Sequence, residues 1–293
     1  MKFKGHQTFY IRRGWLGKGL KQIDKYPLFF TAKNIDQTTE LGVGSNMVNS
    51  IRYYLPCVGL TNEIKSKGQE KTFFAELVLK HDKYMQQYGT LLWLHYNLAT
   101  KKDAATSWYY FFNEYKSMEI DRKSFISGLK DYINQNDPKQ MPADKSIEDD
   151  FVCIINTYLQ RNNEKDTFED NLECPLAELE LLTQKQTTTG KIIRKTSCDV
   201  EKFPLYIALA VIINCRKENQ SEIKIDFIEN AVCNLGKVFN LGIVDVSRIL
   251  ERLQNEKLIK VIRSAGIENI QLSDTIKNYS VNDCLAKYYE EEI

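Results

Sequence analysis

The stretch Leu41 to Leu55, LGVGSNMVNSIRYYL, constrains the fold more than any other part of the chain. Upstream of it Asp36 is a good N-cap for a short helix ending at Leu41, and Gly42 and Gly44 supply the backbone freedom of a tight turn. Ser45 is suited to capping the helix that follows. In that helix Val48, Ile51 and Leu55 recur at helical spacing and are expected to pack inward. Asn46, Asn49 and Tyr53 then point away, with Arg52 on the rim. Two helices meeting at a sharp corner, the second carrying side chains suited to base edges and phosphates, have the pattern of a helix-turn-helix DNA reader. An ordinary helical hairpin, whose polar face meets only water, fits the same spacing, and that alternative stays open here.

Helical periodicity continues on both sides of this unit. A first helix is expected from Trp15 to Asp24, and Gly59 supplies a stop for the helix-turn-helix near Leu60. Lys65 to Lys71 reads as a polar connection, a wing or a loop. Beyond it Thr72 to Leu79, Thr90 to Ala99 and Ala104 to Lys116 carry helical patterning rich in aromatic residues, among them Trp93, Tyr96, Trp108, Phe111 and Phe112. Aromatic side chains can stack unpaired bases, but a stripe of them at helical spacing is usually core, and core is the expectation. A helix from Arg122 to Ile133 precedes a polar segment, Asn134 to Asp150, that contains Pro138 and Pro142 and reads as a linker. Helices from Asp149 to Gln160 and from Leu176 to Thr183 follow, then a polar tract, Gln184 to Lys202.

Further on, Asp226 is placed to cap a helix running to Asn234, and Asp245 a second one whose inward stripe is Val246, Ile249, Leu250 and Leu253. LIKVIRSAGIENIQLS reads as two short strands around Ala265 and Gly266. Two helices and a hairpin describe a winged helix presenting Arg248, Arg252 and Asn255, with Lys260 and Arg263 on the wing. Glu251 and Glu256 dilute that positive surface, so protein docking and DNA contact both fit it.

With 40 basic and 39 acidic residues there is no global field to pull the chain onto DNA or membrane; nucleic-acid affinity has to come from local patches. The longest strongly apolar run, Pro204 to Cys215, is too short to span a bilayer, and no signal-peptide core follows the basic first residues, so a cytoplasmic protein is expected. The seven cysteines form no CxxC pair, and no histidine stands at finger spacing, so neither structural zinc nor a disulfide framework is expected. There is no Walker loop and no GxGxxG.

Several blocks carry a resemblance along nearly the whole chain: GHQTFYIRRGWLGKGL at Gly5 to Leu20, LGVGSNMVNSIRYYL, GTLLWLHYNLA, SWYYFFNEY, CPLAEL at Cys174 to Leu179, and GKVFNL at Gly236 to Leu241. Spaced in this order they resemble the DUF-4007 family, a bacterial family labelled as of unknown function. Its members are typically encoded beside sulfur-handling enzymes of the PAPS-reductase type in DNA phosphorothioation and related phage-defence clusters. The resemblance implies a part in marking or cutting DNA, with those sulfur-transfer proteins as partners, and in that context Cys174 or Cys198 is a candidate persulfide carrier. Two positions depart from the family pattern: Gln7 stands where an acid is usual, and Tyr54 where a tryptophan is usual. A catalytic role for that acid in relatives would not carry over to this chain.

Cleaving a phosphodiester needs a group to activate the nucleophile, charge neutralisation at phosphorus and often a carboxylate-bound metal. His6 is the candidate base, with Arg12 or Arg13 to hold the phosphate; Asp82, beside His81, and Glu114 are candidate ligands for Mg2+ or Mn2+. The competing reading makes His6 an anchor of the first residues, and His95, on an aromatic helix, a hydrogen-bonded core residue. Together these readings describe a mainly α protein: residues 1–133 with an N-terminal helix-turn-helix and an aromatic-rich helical middle, a linker over 134–150, and residues 151–293 ending in a C-terminal winged helix. Ser45, Asn46, Asn49, Arg52, Tyr53, Arg248, Arg252, Lys260 and Arg263 are the candidate contacts to double-stranded DNA. The expected function is a DNA-binding component of a phosphorothioation or anti-phage system; whether it also nicks one strand to give the sulfur-transfer partners access to the backbone, serves as a non-catalytic adaptor or regulates transcription of the cluster stays open at this point.

Overall fold

The structure, a computed structural model, describes residues 1–65, 67–160, 174–188, 190–217, 220, 222–264 and 267–291. Its first layer is three helices. Helix α1 (Trp15–Lys25) buries Trp15, Leu16, Gly19, Leu20 and Ile23 on one stripe. Gly19 is required there, because a Cβ would stand 2.6 Å from Ile51 Cγ2 of the helix packed across it. Helix α2 (Gln37–Leu41) starts as its sequence indicates, with the Asp36 carboxylate accepting the Thr38 and Thr39 amides. Gly42, left-handed at φ 65°, ends it, and α3 (Ser45–Cys57) begins after two more residues, Val43 and Gly44. Ser45 is not the cap: extended Gly44 occupies that position and Ser45 is the first helical residue, with no side-chain capping bond. Val48, Ile51 and Leu55 pack inward as expected, whereas Tyr53 does too and is only 7% exposed.

The polar stretch after α3 closes into an antiparallel hairpin of β1 (Thr61–Glu63) and β2 (Gln69–Lys71), with Thr61 opposite Lys71; Ser66 at its tip lies outside the described residues. Helix α4 (Phe73–His81) is capped by Thr72, and α5 (Tyr88–Thr100) is buried on nearly every side. The next helix is shorter than its pattern suggests. Helix α6 (Thr106–Tyr109) widens into one π-helical turn, Tyr110–Glu114, where the Asn113 side chain donates to Ala99 O and Tyr109 O. Trp93, Tyr96, Trp108, Phe111 and Phe112 are all buried, so the aromatic middle is core.

Strand β3 (Glu119–Ile120) leads into α7 (Arg122–Asn136) and then α8 (Asp144–Tyr158). The segment expected as a linker is therefore largely helical. Its last residues open α8, where Ile147 and Asp150 are buried and Glu148 and Asp149 between them are half-buried and ion-paired, Asp149 with Lys4 and Lys145. Residues 176–183 make a 3-10 turn, Pro175–Leu179, instead of a helix, because Glu180 enters the left-handed region at φ 53°. The polar tract after it is a hairpin, β4 (Leu182–Thr187) and β5 (Gly190–Lys195), completed by β3 in the order β3-β5-β4; Thr189 lies outside the described residues.

Helix α9 (Leu205–Cys215) is buried from Ile207 to Ile213 and lies among the helices of the last third of the chain. There β6 (Glu222–Lys224), α10 (Ile225–Asn230), α11 (Leu235–Val238), α12 (Ile243–Asn255), β7 (Ile259–Ser264) and β8 (Ile267–Leu272) succeed one another, with sheet order β6-β8-β7. Asp226 and Asp245 sit in first turns and are not caps; Lys224 and Gly242 hold those positions. The expected Asp226–Asn234 helix breaks after Asn230, and Asn234 instead caps α11 by accepting the Leu235 amide. Ala265 and Gly266 lie outside the described residues. A last helix, α13 (Val281–Glu291), has no counterpart in the sequence reading; it packs on α9 and α4, and its Tyr288 hydroxyl accepts the Gly89 amide. The buried apolar residues of all these elements form one cluster.

Candidate nucleic-acid interface

Helix α3 divides its polar stripe between solvent and a cleft. Ser45, Asn46 and Asn49 are exposed, and Asn49 with Arg52 reaches a concavity of about 620 Å³ bounded by the first residues, the start of β1 and the 101–104 turn. Lys2, Gln7, Lys101, Glu63 and Asp103 line the same cleft. Arg52 is partly committed: its guanidinium donates to Lys67 O, and its carbonyl accepts from the Gln69 side chain, which ties the β1–β2 hairpin to α3. Tyr53 contributes only an edge, since its hydroxyl donates to Ala104 O and Gly5 lies against its ring so closely that a Cβ would stand 2.4 Å away.

What presses the first residues onto α3 is a buried polar lock. Asp150 Oδ1 accepts the Lys4 amide at 2.8 Å and His6 Nε2–H at 2.7 Å, and Oδ2 accepts the Ser107 hydroxyl at 2.5 Å. The Thr8 amide donates to His6 Nδ1, so that nitrogen carries no proton and the ring is the Nε2–H tautomer. His6 is fully buried, edge-on to Trp108, with both nitrogens occupied. It is not the surface imidazole that a general base at a phosphate requires; of the two sequence readings, the anchor describes its position, with a side-chain carboxylate as its partner. Lys4, Gln7 and Thr8 all have positive φ, 54°, 51° and 70°. Three non-glycine residues in that region within five positions, one of them β-branched, are a strained arrangement that surrounding contacts must enforce.

The other catalytic candidates are dispersed. Asp82 is buried and its carboxylate accepts the Gln86 and Gln87 amides, a turn-forming role. Glu114 ends the π-helical turn and lines neither the α3 cleft nor the concavity containing Arg12. Among the described residues no three His, Cys, Asp or Glu side chains gather where they would share a cation. Magnesium does not demand such a cage, since one or two carboxylates with waters and a substrate phosphate commonly hold it, and Glu63 and Asp103 are the acids on the cleft. Cys174 and Cys198 are buried, and burial pushes both thiols up, Cys174 to about 12, the reverse of what a sulfur nucleophile needs. His95 is enclosed, its Nε2–H donating to Val238 O and its Nδ1 accepting from the Tyr158 hydroxyl.

In the last third of the chain Arg248 and Lys260 are exposed, whereas Arg252 donates to Val200 O and Arg263 pairs with Glu268. The first turn of α12 also exposes Ile243 and Val244. Residues that the sequence did not single out, Lys2, Glu63, Lys101, Asp103 and Asp150, come to the α3 site from four separate segments, and no local pattern marks them. Gln7 was marked only as a departure from a family pattern.

Two solved structures share this fold. A crystal structure of magnesium ion-bound SspB superposes with a TM-score of 0.85 at 24% sequence identity, covering 99% of this chain and 88% of that one. Another SspB crystal structure gives a TM-score of 0.83 at 24% identity, covering 99% and 87%. Comparison with curated proteins gives no match. The family model described as a protein of unknown function, DUF4007, matches residues 3–289, and the chain therefore belongs to the DUF4007 family.

Proposed function

We propose that this protein is a DNA-binding component of a bacterial DNA phosphorothioation or allied anti-phage system, with α3 as its reading helix. The observation that carries the reading is the exposed row Ser45, Asn46 and Asn49, which runs into a cleft where Asn49 and Arg52 stand with Lys2 and Lys101. Amide side chains read adenine edges and the cations hold phosphates. In this reading α2, the glycine corner and α3 act as a helix-turn-helix, and the β1–β2 hairpin, with Lys65 and Lys67 exposed, is its wing. The succession from β6 to β8 acts as a second winged helix. With Arg252 and Arg263 engaged internally and Ile243 and Val244 exposed, its surface suits a protein partner better than a phosphate backbone, and sulfur-transfer proteins of the PAPS-reductase type are the partners that the family resemblance implies.

His6 acts here as a positioning residue: through Asp150 it holds Gln7 and Lys2 at the cleft. Nicking by this chain, the second reading, is favoured only by the two acids on the cleft. Glu63 and Asp103 are the residues that would hold a Mg2+ or Mn2+ ion, which supplies charge neutralisation at a bound phosphate. One experiment addresses both readings. Asn49→Ala with Arg52→Ala is expected to weaken duplex DNA binding in gel shifts by about tenfold or more, each lost contact costing about 1–3 kcal/mol, with the melting midpoint lowered by no more than the one exposed Arg52–Lys67 bond is worth. Unchanged affinity would remove α3 as the reader. Incubating the wild type with supercoiled plasmid and Mg2+ or Mn2+, with EDTA controls, separates the binding module from the nickase.

A further inference from the structure

A second concavity of about 620 Å³ lies beside the start of α1. Five cations line it: Arg12, Arg13, Lys18, Lys21 and Lys83. Among the described residues no acid does. Its floor is apolar, made by Leu16, Leu79, Met85 and Pro175, and Tyr84 stands at its rim, 70% exposed, with Lys83 Nζ 4.9 Å from the ring centroid. Arg13 is neutralised by Glu178, but Lys21 and Lys83 are exposed. Arg12 lies over the Phe9 and Trp15 rings, and its Nε–H is buried with no hydrogen-bond partner. A buried donor without a protein partner is costly, and at the wall of a cationic cleft a water or an anionic ligand is placed to satisfy it. The first turn of α1 opens into the same space through Gly14, Leu16 and Gly17, with no side chain capping it.

A flat basic strip would suit the regular backbone of duplex DNA. A concave site with an apolar floor, an exposed phenol ring and cations on its wall suits a smaller unit with one anionic end and one flat apolar end. We infer that this cleft binds a nucleoside phosphate, its phosphate held by Arg12, Lys21 and Lys83 and its base laid against Tyr84 and the Leu79–Met85 floor. The same chemistry is offered by a free nucleotide and by an unpaired nucleotide of a DNA strand. The site shares no lining residue with the α3 cleft, so it stands or falls independently of the reader proposed there.

Calorimetric titration of the full chain with ADP, inorganic phosphate and a thymidine decamer tests it. ADP or the decamer is expected to bind, phosphate more weakly than either. Lys21→Glu with Lys83→Glu, both at exposed positions, is expected to weaken binding about tenfold or more. Tyr84→Ala is expected to weaken ADP or decamer binding about fivefold or more and to leave phosphate binding unchanged. Binding of ADP identifies a free nucleotide, and binding of the decamer alone identifies a strand nucleotide. No binding of either at millimolar concentration, binding indifferent to the variants, or phosphate binding as tightly as ADP would each overturn the inference. Asn49→Ala with Arg52→Ala is expected to leave ADP binding unchanged, so failure here and failure of the α3 reader are distinguishable.

Discussion

At the scale of single residues, the helical period of α3 correctly sorts Val48, Ile51 and Leu55 from Asn46 and Asn49, yet misplaces Tyr53. The period is local and the burial is not. The half of the stripe that carries Tyr53 is covered by Gly5 and His6, held there by an aspartate 144 residues away from the histidine. No spacing rule within α3 contains that information. The same distance explains why His6 invited a catalytic reading: a histidine a few residues before two arginines has the composition of a phosphate site, and only the fold shows both of its nitrogens occupied. Replacing His6 by alanine removes a hydrogen bond to a buried carboxylate, worth about 1.5–3 kcal/mol, and leaves a cavity beside Trp108, so a loss of about 3 kcal/mol or more is expected in urea melts. DNA affinity should fall with it, because Lys2 and Gln7 lose their support. A variant as stable as wild type would show that the lock does not hold the first residues.

Among elements, helices with sustained apolar periodicity were legible: α1, α4, α5, α7 and the inward stripe of α12 lie where periodicity puts them, to within a few residues. Short polar strands were not. The β4–β5 hairpin is dominated by Thr, Gln, Lys and Arg, with only Leu182, Ile192 and Ile193 to signal a strand, and composition alone reads as a loop. The α6 segment was recognised, but its π-helical turn depends on Asn113 reaching Ala99 on another helix. The aromatic residues of that segment were rightly assigned to packing, and Trp108 offers a graded test. It is 1% exposed and its indole N–H has no hydrogen-bond partner, so the side chain contributes volume and not polarity. Trp108→Ala is expected to cost about 3–5 kcal/mol and Trp108→Phe distinctly less, read as shifts in thermal midpoint. Equal losses would assign the indole nitrogen a role that the structure does not give it.

Over the whole molecule, helix content was legible from patterning, and the joins between distant segments were not. His95 illustrates one join, with α8 on one nitrogen and the carbonyl ending α11 on the other. Burial pulls its pKa down from 6.5 to about 4, against a smaller upward pull from the Val238 carbonyl. The folded state thus keeps a neutral ring while the unfolded chain gains a proton below its ordinary pKa. The stability linked to His95 is complete above pH 6.5 and is lost as pH falls towards 4, about 3 kcal/mol in all. Urea melts across this range should show a steeper acid loss for wild type than for His95→Gln; parallel curves would contradict it. The joins also set an order in time. Asp150, far along the chain, fastens the first residues beside α3, so the edge that α3 offers is assembled from parts made far apart during synthesis. Contacts at such separation form slowly. A nascent chain that has already made α3 still lacks the lock that holds Lys2 and Gln7 beside it, so the DNA contact proposed for α3 is expected only once α8, which carries Asp150, has left the ribosome.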